Sequence, residues 1–124
     1  MDLAWSAADL EFRDEVRDFL DEHLTEDLRQ AGRLMTSVYA DHEASMAWQA
    51  ILHERGWAAP AWPVEYGGNG WSTTQKFIFD NECALAGAPR IVPFGLSMLG
   101  PVLIKYGNEE QKKHWLPRIL NGDD

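Results

Sequence analysis

One stretch, residues 56–72, constrains this chain more than any other. It reads GWAAPAWPVEYGGNGWS and holds three of the six tryptophans, two of the six prolines and four of the ten glycines. A loop with so many large aromatic rings has to be packed, because each buried tryptophan removes about 150–250 Å² of surface from solvent. The prolines restrict φ, and the glycines permit turns with positive φ. We therefore expect a buried loop of fixed shape, with helices arranged around it.

Before this loop, apolar residues recur with the spacing of amphipathic helices. Ser6 and Asp9 resemble a capping box that opens a helix over about residues 10–24. A shorter helical piece is expected to follow over residues 25–34 and to end near Gly32. Asp41 is predicted to cap the second main helix, and Gly56 to end it in the left-handed conformation. The side chains predicted to face inward are Phe12, Val16, Phe19 and Leu20, followed by Ala44, Ala47, Trp48, Ile51 and Leu52.

After the loop, Ser72 and Gln75 form a second capping-box pattern for a helix over residues 73–86 that Gly87 closes. Its inward side is predicted to carry Phe77, Ile78, Ala84 and Leu85. Asn81 and Glu82 fall on the same stripe, although a carboxylate among apolar side chains requires a partner, a proton or access to water.

The next segment, residues 94–105, is almost entirely apolar, which predicts a helix buried on all sides. Pro93 fits its first turn. Gly100 and Pro101 inside it are expected to kink the helix or to leave a carbonyl unpaired. Asn108 and Gln111 predict the cap of a last helix. Its apolar side is predicted to contain Trp115, Leu116, Ile119 and Leu120, and Pro117 to bend it.

No segment alternates with a period of two residues over a useful length, so no strand is predicted. The sequence therefore predicts one all-α domain over residues 1–124, an orthogonal bundle of five to six helices.

The net charge of −9 disfavours binding to nucleic acid or to an anionic membrane surface. No apolar run is long enough to span a bilayer, and the N-terminus does not look like a signal peptide. The single cysteine, Cys83, is interpreted as a small buried apolar residue. These features favour the cytoplasm. The four histidines show no spacing typical of a metal site.

Three features are candidates for chemistry, and each has a structural alternative. Glu82 either pairs with an arginine or amide of a neighbouring helix, which is favoured, or lines a ligand cavity. The glycines at positions 68 and 70 favour a turn over a phosphate loop, because no strand precedes them. Small residues at positions 95, 97 and 100 permit close approach either of another helix or of a ligand.

The loop resembles the segment that follows the second helix in the N-terminal domain of acyl-CoA dehydrogenases. Downstream, NECALAG at residues 81–87, LGP at 99–101 and KYGNEEQKKHWLP at 105–117 are similar to the same family in the same order. The likeness runs from about residue 10 to residue 122. It implies that the helix over residues 94–105 borders the deep end of an acyl-chain pocket. Carried over by position, the wall residues are Phe94, Gly95, Met98, Leu99 and Val102.

The resemblance also implies α,β-dehydrogenation of an acyl-CoA thioester with FAD as the hydride acceptor. It implies a homo- or hetero-oligomer and electron transfer to a partner such as an electron-transfer flavoprotein. The family's central β-domain and C-terminal helical domain, with most flavin contacts and the catalytic glutamate, have no counterpart in this sequence. We therefore expect this chain alone to be inactive. The alternative is a non-enzymatic all-α interaction module whose apolar helix docks a partner.

Overall fold

The computed structural model describes residues 5–34 and 42–123, and all regular secondary structure among these described residues is helical, with no strand. Their helices are α1 (Ala7–His23), α2 (Glu26–Leu34), α3 (His42–Arg55), α4 (Thr73–Ala86), α5 (Gly100–Tyr106) and α6 (Glu109–Asn121). A short 3-10 turn lies at Val64–Tyr66, and a π-helical segment, Phe94–Leu99, runs directly into α5. The predicted all-α fold is confirmed.

Three helices begin at capping boxes, each with the side-chain and backbone hydrogen bonds of the motif. Ser6 caps α1 together with Asp9, Ser72 caps α4 together with Gln75, and Asn108 caps α6 together with Gln111. These bonds satisfy amides that a helix start otherwise leaves unpaired. Gly56 and Gly87 have φ of 86° and 79°, as the sequence predicts for residues that end helices. The predicted cap at Asp41 lies outside the described residues.

The buried side chains form two clusters, and the tryptophan-rich loop contributes to both. The larger cluster lies between α1, α3 and α4, and Trp57 belongs to it. The smaller cluster is formed by Ala59 and Trp62 of the loop with Leu96, Leu116 and Ile119. Trp57 and Trp62 are each 5% exposed, so the prediction of a packed loop is confirmed. The loop thus connects the two halves of the core.

Several predicted helix faces need correction. On α4 the buried residues are Ile78, Phe79 and Glu82, whereas Phe77 and Leu85 are 58% and 73% exposed and Ala84 is also exposed. The buried line is shifted by one position because α4 packs along α1. On α3 the polar residues Ser45 and Gln49 are buried and Ala47 is exposed.

On α6, Leu116 and Ile119 are buried as predicted, but Trp115 is 41% exposed. Pro117 lies inside this helix. Across the described helices, none is both long enough and apolar enough to cross a membrane.

Candidate functional site

The π-helical segment Phe94–Leu99 lies between the loop on one side and α6 on the other. A Cβ added at Gly95 would come within 2.9 Å of Cγ2 of Ile119, and one at Gly100 would overlap the indole ring of Trp62. Both glycines therefore permit close packing against neighbours within this chain. At these two positions, the group that lies against the small residue is a protein side chain.

The hydrogen bonds of this segment explain its wide turn. The amide of Gly100 donates to the carbonyl of Gly95, five residues earlier, which is the π-helical pattern. The next residue, Pro101, has no N–H to donate. The carbonyl of Leu96 instead accepts a hydrogen bond of 2.8 Å from Nε1 of Trp62. The sequence predicts a kink or an unpaired carbonyl here; the helix widens, and the carbonyl has a partner from the loop.

The outer side of the same segment is exposed, which corrects the prediction of a helix buried on all sides. Phe94, Met98, Leu99 and Val102 are 47%, 58%, 48% and 53% exposed. Leu96 and Gly100 are buried. Among the described residues, the inner side of the segment packs against Trp62 and Ile119. Four of the five predicted wall residues are therefore exposed apolar side chains of this segment and of the start of α5, and we call these four residues the apolar wall.

Two cavities flank the segment. One, of about 320 Å³, is lined by Phe94, Gly95 and Leu96 together with Gln49 and Ile119. The other, of about 390 Å³, lies on the side of Trp62, Leu96 and Pro101. Gln49 is engaged, since its side-chain amide donates to the carbonyl of Ile119 at 2.9 Å. A concavity therefore lies beside residues 94–102, and its neighbourhood is mainly apolar.

Glu82 has the structural partner that the sequence favours. Its side chain is 8% exposed and accepts two hydrogen bonds from Arg17 of α1, at 2.9 Å from Nε and 3.2 Å from Nη2. The hydrogen bond to Glu82 raises the pKa of Arg17. This bidentate pair joins α1 to α4 and leaves Glu82 engaged in structure.

A third cavity, of about 540 Å³, lies between α2, α3 and the end of α4, and it contains Asp80 and Cys83. Burial raises the pKa of Asp80. Burial, followed by the charges of Asp80 and Glu82, raises the pKa of Cys83 to about 12. The thiol is therefore neutral at physiological pH, but Cys83 is half-buried and not fully buried as predicted.

The glycine-rich end of the loop is a turn, as predicted. Gly67 and Gly70 have φ of 112° and 66°, and the side-chain Nδ2 of Asn69 donates to the carbonyl of Gly56 at 2.8 Å. These glycines thus fold the chain back on itself. Among the residues with described positions, no group of three or more His, Cys, Asp or Glu side chains is arranged to hold a metal ion.

The role of Trp62 is not evident from the sequence alone. Pro101 signals that a carbonyl one turn earlier lacks its donor, but nothing in the pattern says which side chain replaces it. That donor comes from a residue 34 positions before Leu96, so only the folded structure reveals the pair.

Comparison with known proteins matches residues 6–123 to the N-terminal domain of acyl-CoA dehydrogenases. FadE26 of Mycobacterium tuberculosis is 35% identical over 99% of this chain, and IpdE1 of Mycolicibacterium smegmatis 41% identical over 90%; both are described as acyl-CoA dehydrogenases. The alignments cover 30% and 29% of those proteins, so this chain spans less than a third of their length.

Solved structures agree with the sequence comparison. The steroid acyl-CoA dehydrogenase Tcur3481-Tcur3483 superposes with a TM-score of 0.80 at 37% identity, over 99% of this chain and 31% of that one. The ChsE4-ChsE5 complex from Mycobacterium tuberculosis gives 0.74 at 37% identity, over 99% and 30%. The helical arrangement is thus a known one, and this chain is a member of the acyl-CoA dehydrogenase family, corresponding to its N-terminal domain.

Proposed function

We propose that this chain is the part of an FAD-dependent acyl-CoA dehydrogenase that borders the acyl tail of the substrate. The observation that carries this proposal is the exposure of the apolar wall, Phe94, Met98, Leu99 and Val102, in a stretch whose first residues, Phe94 and Gly95, line a cavity. Ligand pockets are mostly apolar with few polar groups, and a hydrocarbon tail needs no hydrogen bond from its surroundings. The wall fits the tail of a thioester and not its charged coenzyme A part, since the chain itself carries a net charge of −9.

The residues beside the wall do not fit a flavin. FAD carries a pyrophosphate and a polar ring system, which need converging hydrogen-bond donors. The cavity beside Phe94 offers mainly apolar side chains, and Gln49 is already bonded to Ile119. We therefore propose that the flavin and the catalytic carboxylate belong to the rest of such an enzyme and that this chain alone does not dehydrogenate.

Two features support a bulky, ring-bearing tail and a heteromeric enzyme. A wall with four large exposed side chains over residues 94–102 offers apolar surface for a ring-bearing tail to cover. The structural neighbours are described as a steroid acyl-CoA dehydrogenase and as a complex of two different chains. We propose the same substrate class and a second dehydrogenase subunit as partner here, with electrons passed on to an acceptor such as an electron-transfer flavoprotein.

The test uses the complete enzyme containing this chain, with its flavin and partner subunit. We expect an acyl-CoA with a ring-bearing tail to bleach the flavin absorbance. Met98→Gln should raise KM for that substrate about tenfold, because burying apolar surface contributes about 1–3 kcal/mol per side chain. Leu85→Gln is the matched control, since Leu85 is 73% exposed on α4, outside the wall.

The outcomes separate the alternatives. Absence of bleaching with any acyl-CoA would exclude the dehydrogenase function and favour the interaction module, whose docking surface would be the same exposed wall. Bleaching with an unchanged KM in Met98→Gln would keep the enzyme but remove Met98 from the wall.

A further inference from the structure

We propose that Trp62 is a positioning residue for the apolar wall. This role of Trp62 rests on the function proposed above for that wall. Its indole N–H replaces the backbone donor that Pro101 lacks, and the bond holds the wide turn at Phe94–Leu99 in place. This wide turn fixes the direction in which the wall residues face the acyl tail. The wall residues are Phe94, Met98, Leu99 and Val102.

The carbonyl of Leu96 has no donor available from its own helix. In an α-helix its carbonyl would accept from the amide of residue 100, and in a π-helix from that of residue 101. Gly100 already donates to Gly95, and Pro101 has no N–H. Both chain donors are therefore excluded, and a buried carbonyl without a partner costs about 1–3 kcal/mol. Nε1 of Trp62 supplies the bond at 2.8 Å.

The hydrogen bond from Trp62 to Leu96 lies in the buried interior. Leu96 is 8% exposed and Trp62 is 5% exposed, so water does not readily replace the indole donor. The Trp62 ring also occupies the space where a side chain at position 100 would lie. Trp62 and Gly100 are thus matched, and the ring holds the segment from its inner side.

The wide turn that this hydrogen bond stabilises affects the orientation of the apolar wall. A π turn contains one residue more than an α turn, so its presence rotates the residues before it relative to those after it. Phe94, Met98 and Leu99 lie within the wide turn, and Val102 lies after it in α5. A tighter α turn would rotate Phe94 relative to Val102, so the four side chains would form a surface of different shape. The hydrogen bond from Trp62 therefore selects the shape of the wall, although Trp62 itself is buried behind it.

The experiment is a double-mutant cycle in the complete enzyme with Trp62→Phe and Pro101→Ala. Phenylalanine removes the donor and keeps an aromatic ring, whereas alanine at position 101 restores a backbone N–H one residue beyond Gly100. Trp57→Phe is the matched control, because Trp57 is equally buried but lies in the other cluster. Hydrogen exchange of the amides in residues 94–100 reports on the turn without depending on activity.

We expect Trp62→Phe to accelerate exchange over residues 94–100 about tenfold relative to the rest of the chain, and Trp57→Phe to leave that ratio unchanged. In the double variant the acceleration should fall to about twofold. The ratio of kcat/KM for a ring-bearing acyl-CoA to that for butyryl-CoA should fall about fivefold in Trp62→Phe and recover in the double variant. A loss of stability alone would not be rescued in this way.

Equal acceleration of exchange with proline or alanine at position 101 would overturn the assignment of Trp62. Restored exchange with an unrestored substrate ratio would overturn its link to the wall. If the wild-type enzyme oxidises neither acyl-CoA, the proposed function fails, while the exchange data still decide the bond between Trp62 and Leu96.

Discussion

Glu82 shows how a single buried carboxylate is held in an apolar interface. It is 6% exposed and depends on two hydrogen bonds from Arg17. We expect Glu82→Gln to lower the free energy of unfolding by about 1–3 kcal/mol, because the charge-assisted bidentate bond is lost while a buried polar group remains. Urea unfolding followed by circular dichroism measures this change.

The matched control is Glu15→Gln on α1, the helix that carries Arg17, where Glu15 pairs with Arg55 at 2.8 Å and both side chains are about half exposed. An exposed pair contributes little, so the control should change stability by less than about 1 kcal/mol. Equal effects of the two variants would show that burial does not strengthen the Arg17–Glu82 pair.

Cys83 offers a second measurement at a single residue, since it is the chain's one cysteine. Burial raises the pKa of its thiol to about 12, and only the thiolate attacks disulfide reagents. At pH 8 we expect reaction with a disulfide reagent to be about a thousandfold slower in the folded protein than in urea. Reaction at similar rates in both states would place Cys83 in an accessible, ionisable environment.

Among the helices, α4 follows the loop and packs along α1. The first turn of α4 depends on its N-terminal cap. The Ser72 hydroxyl accepts from the amide of Gln75 at 3.1 Å, and the Gln75 side chain accepts from the amide of Ser72 at 2.9 Å. Ser72→Ala should lower stability by about 0.5–2 kcal/mol, since one amide of the first turn loses its acceptor. Ser72→Asp keeps an acceptor and should stay close to the wild type in thermal unfolding.

Helix ends were predictable from the sequence because caps are local. Ser6, Ser72 and Asn108 each act through a residue three positions away, so the pattern contains the whole interaction. The faces of helices were less predictable, because they depend on partners elsewhere in the fold. Phe77 is exposed, whereas Phe79 is buried and its ring contacts Trp57 and Trp71 of the loop, partners that lie outside α4.

The candidate site, too, was predictable from the sequence only in part. The composition of residues 94–105 suffices to predict an apolar helix disturbed at Gly100 and Pro101. The exposure of its outer side and the hydrogen bond from Trp62 depend on long-range packing, which a helical period does not encode.

At the scale of the whole molecule, the loop unites two clusters of buried side chains, and Gly68 is the point where it turns back on itself. The amide of Gly68 donates to the carbonyl of Pro63 at 3.1 Å, and a Cβ at this position would overlap the carbonyl oxygen of Trp62. The obstacle is backbone, so rotation of a side chain does not relieve it.

We therefore expect Gly68→Ala to displace Trp57 and Trp62 together and to reduce stability by more than about 4 kcal/mol. Gly56→Ala is the matched control, because Gly56 has φ of 86° but no atom within 4 Å of an added Cβ. It should cost only the backbone strain of about 1–2 kcal/mol. Near-ultraviolet circular dichroism, which reports on the packed tryptophans, should collapse in the first variant and persist in the second. If both variants keep the native signal and similar stability, the loop does not hold the two clusters together.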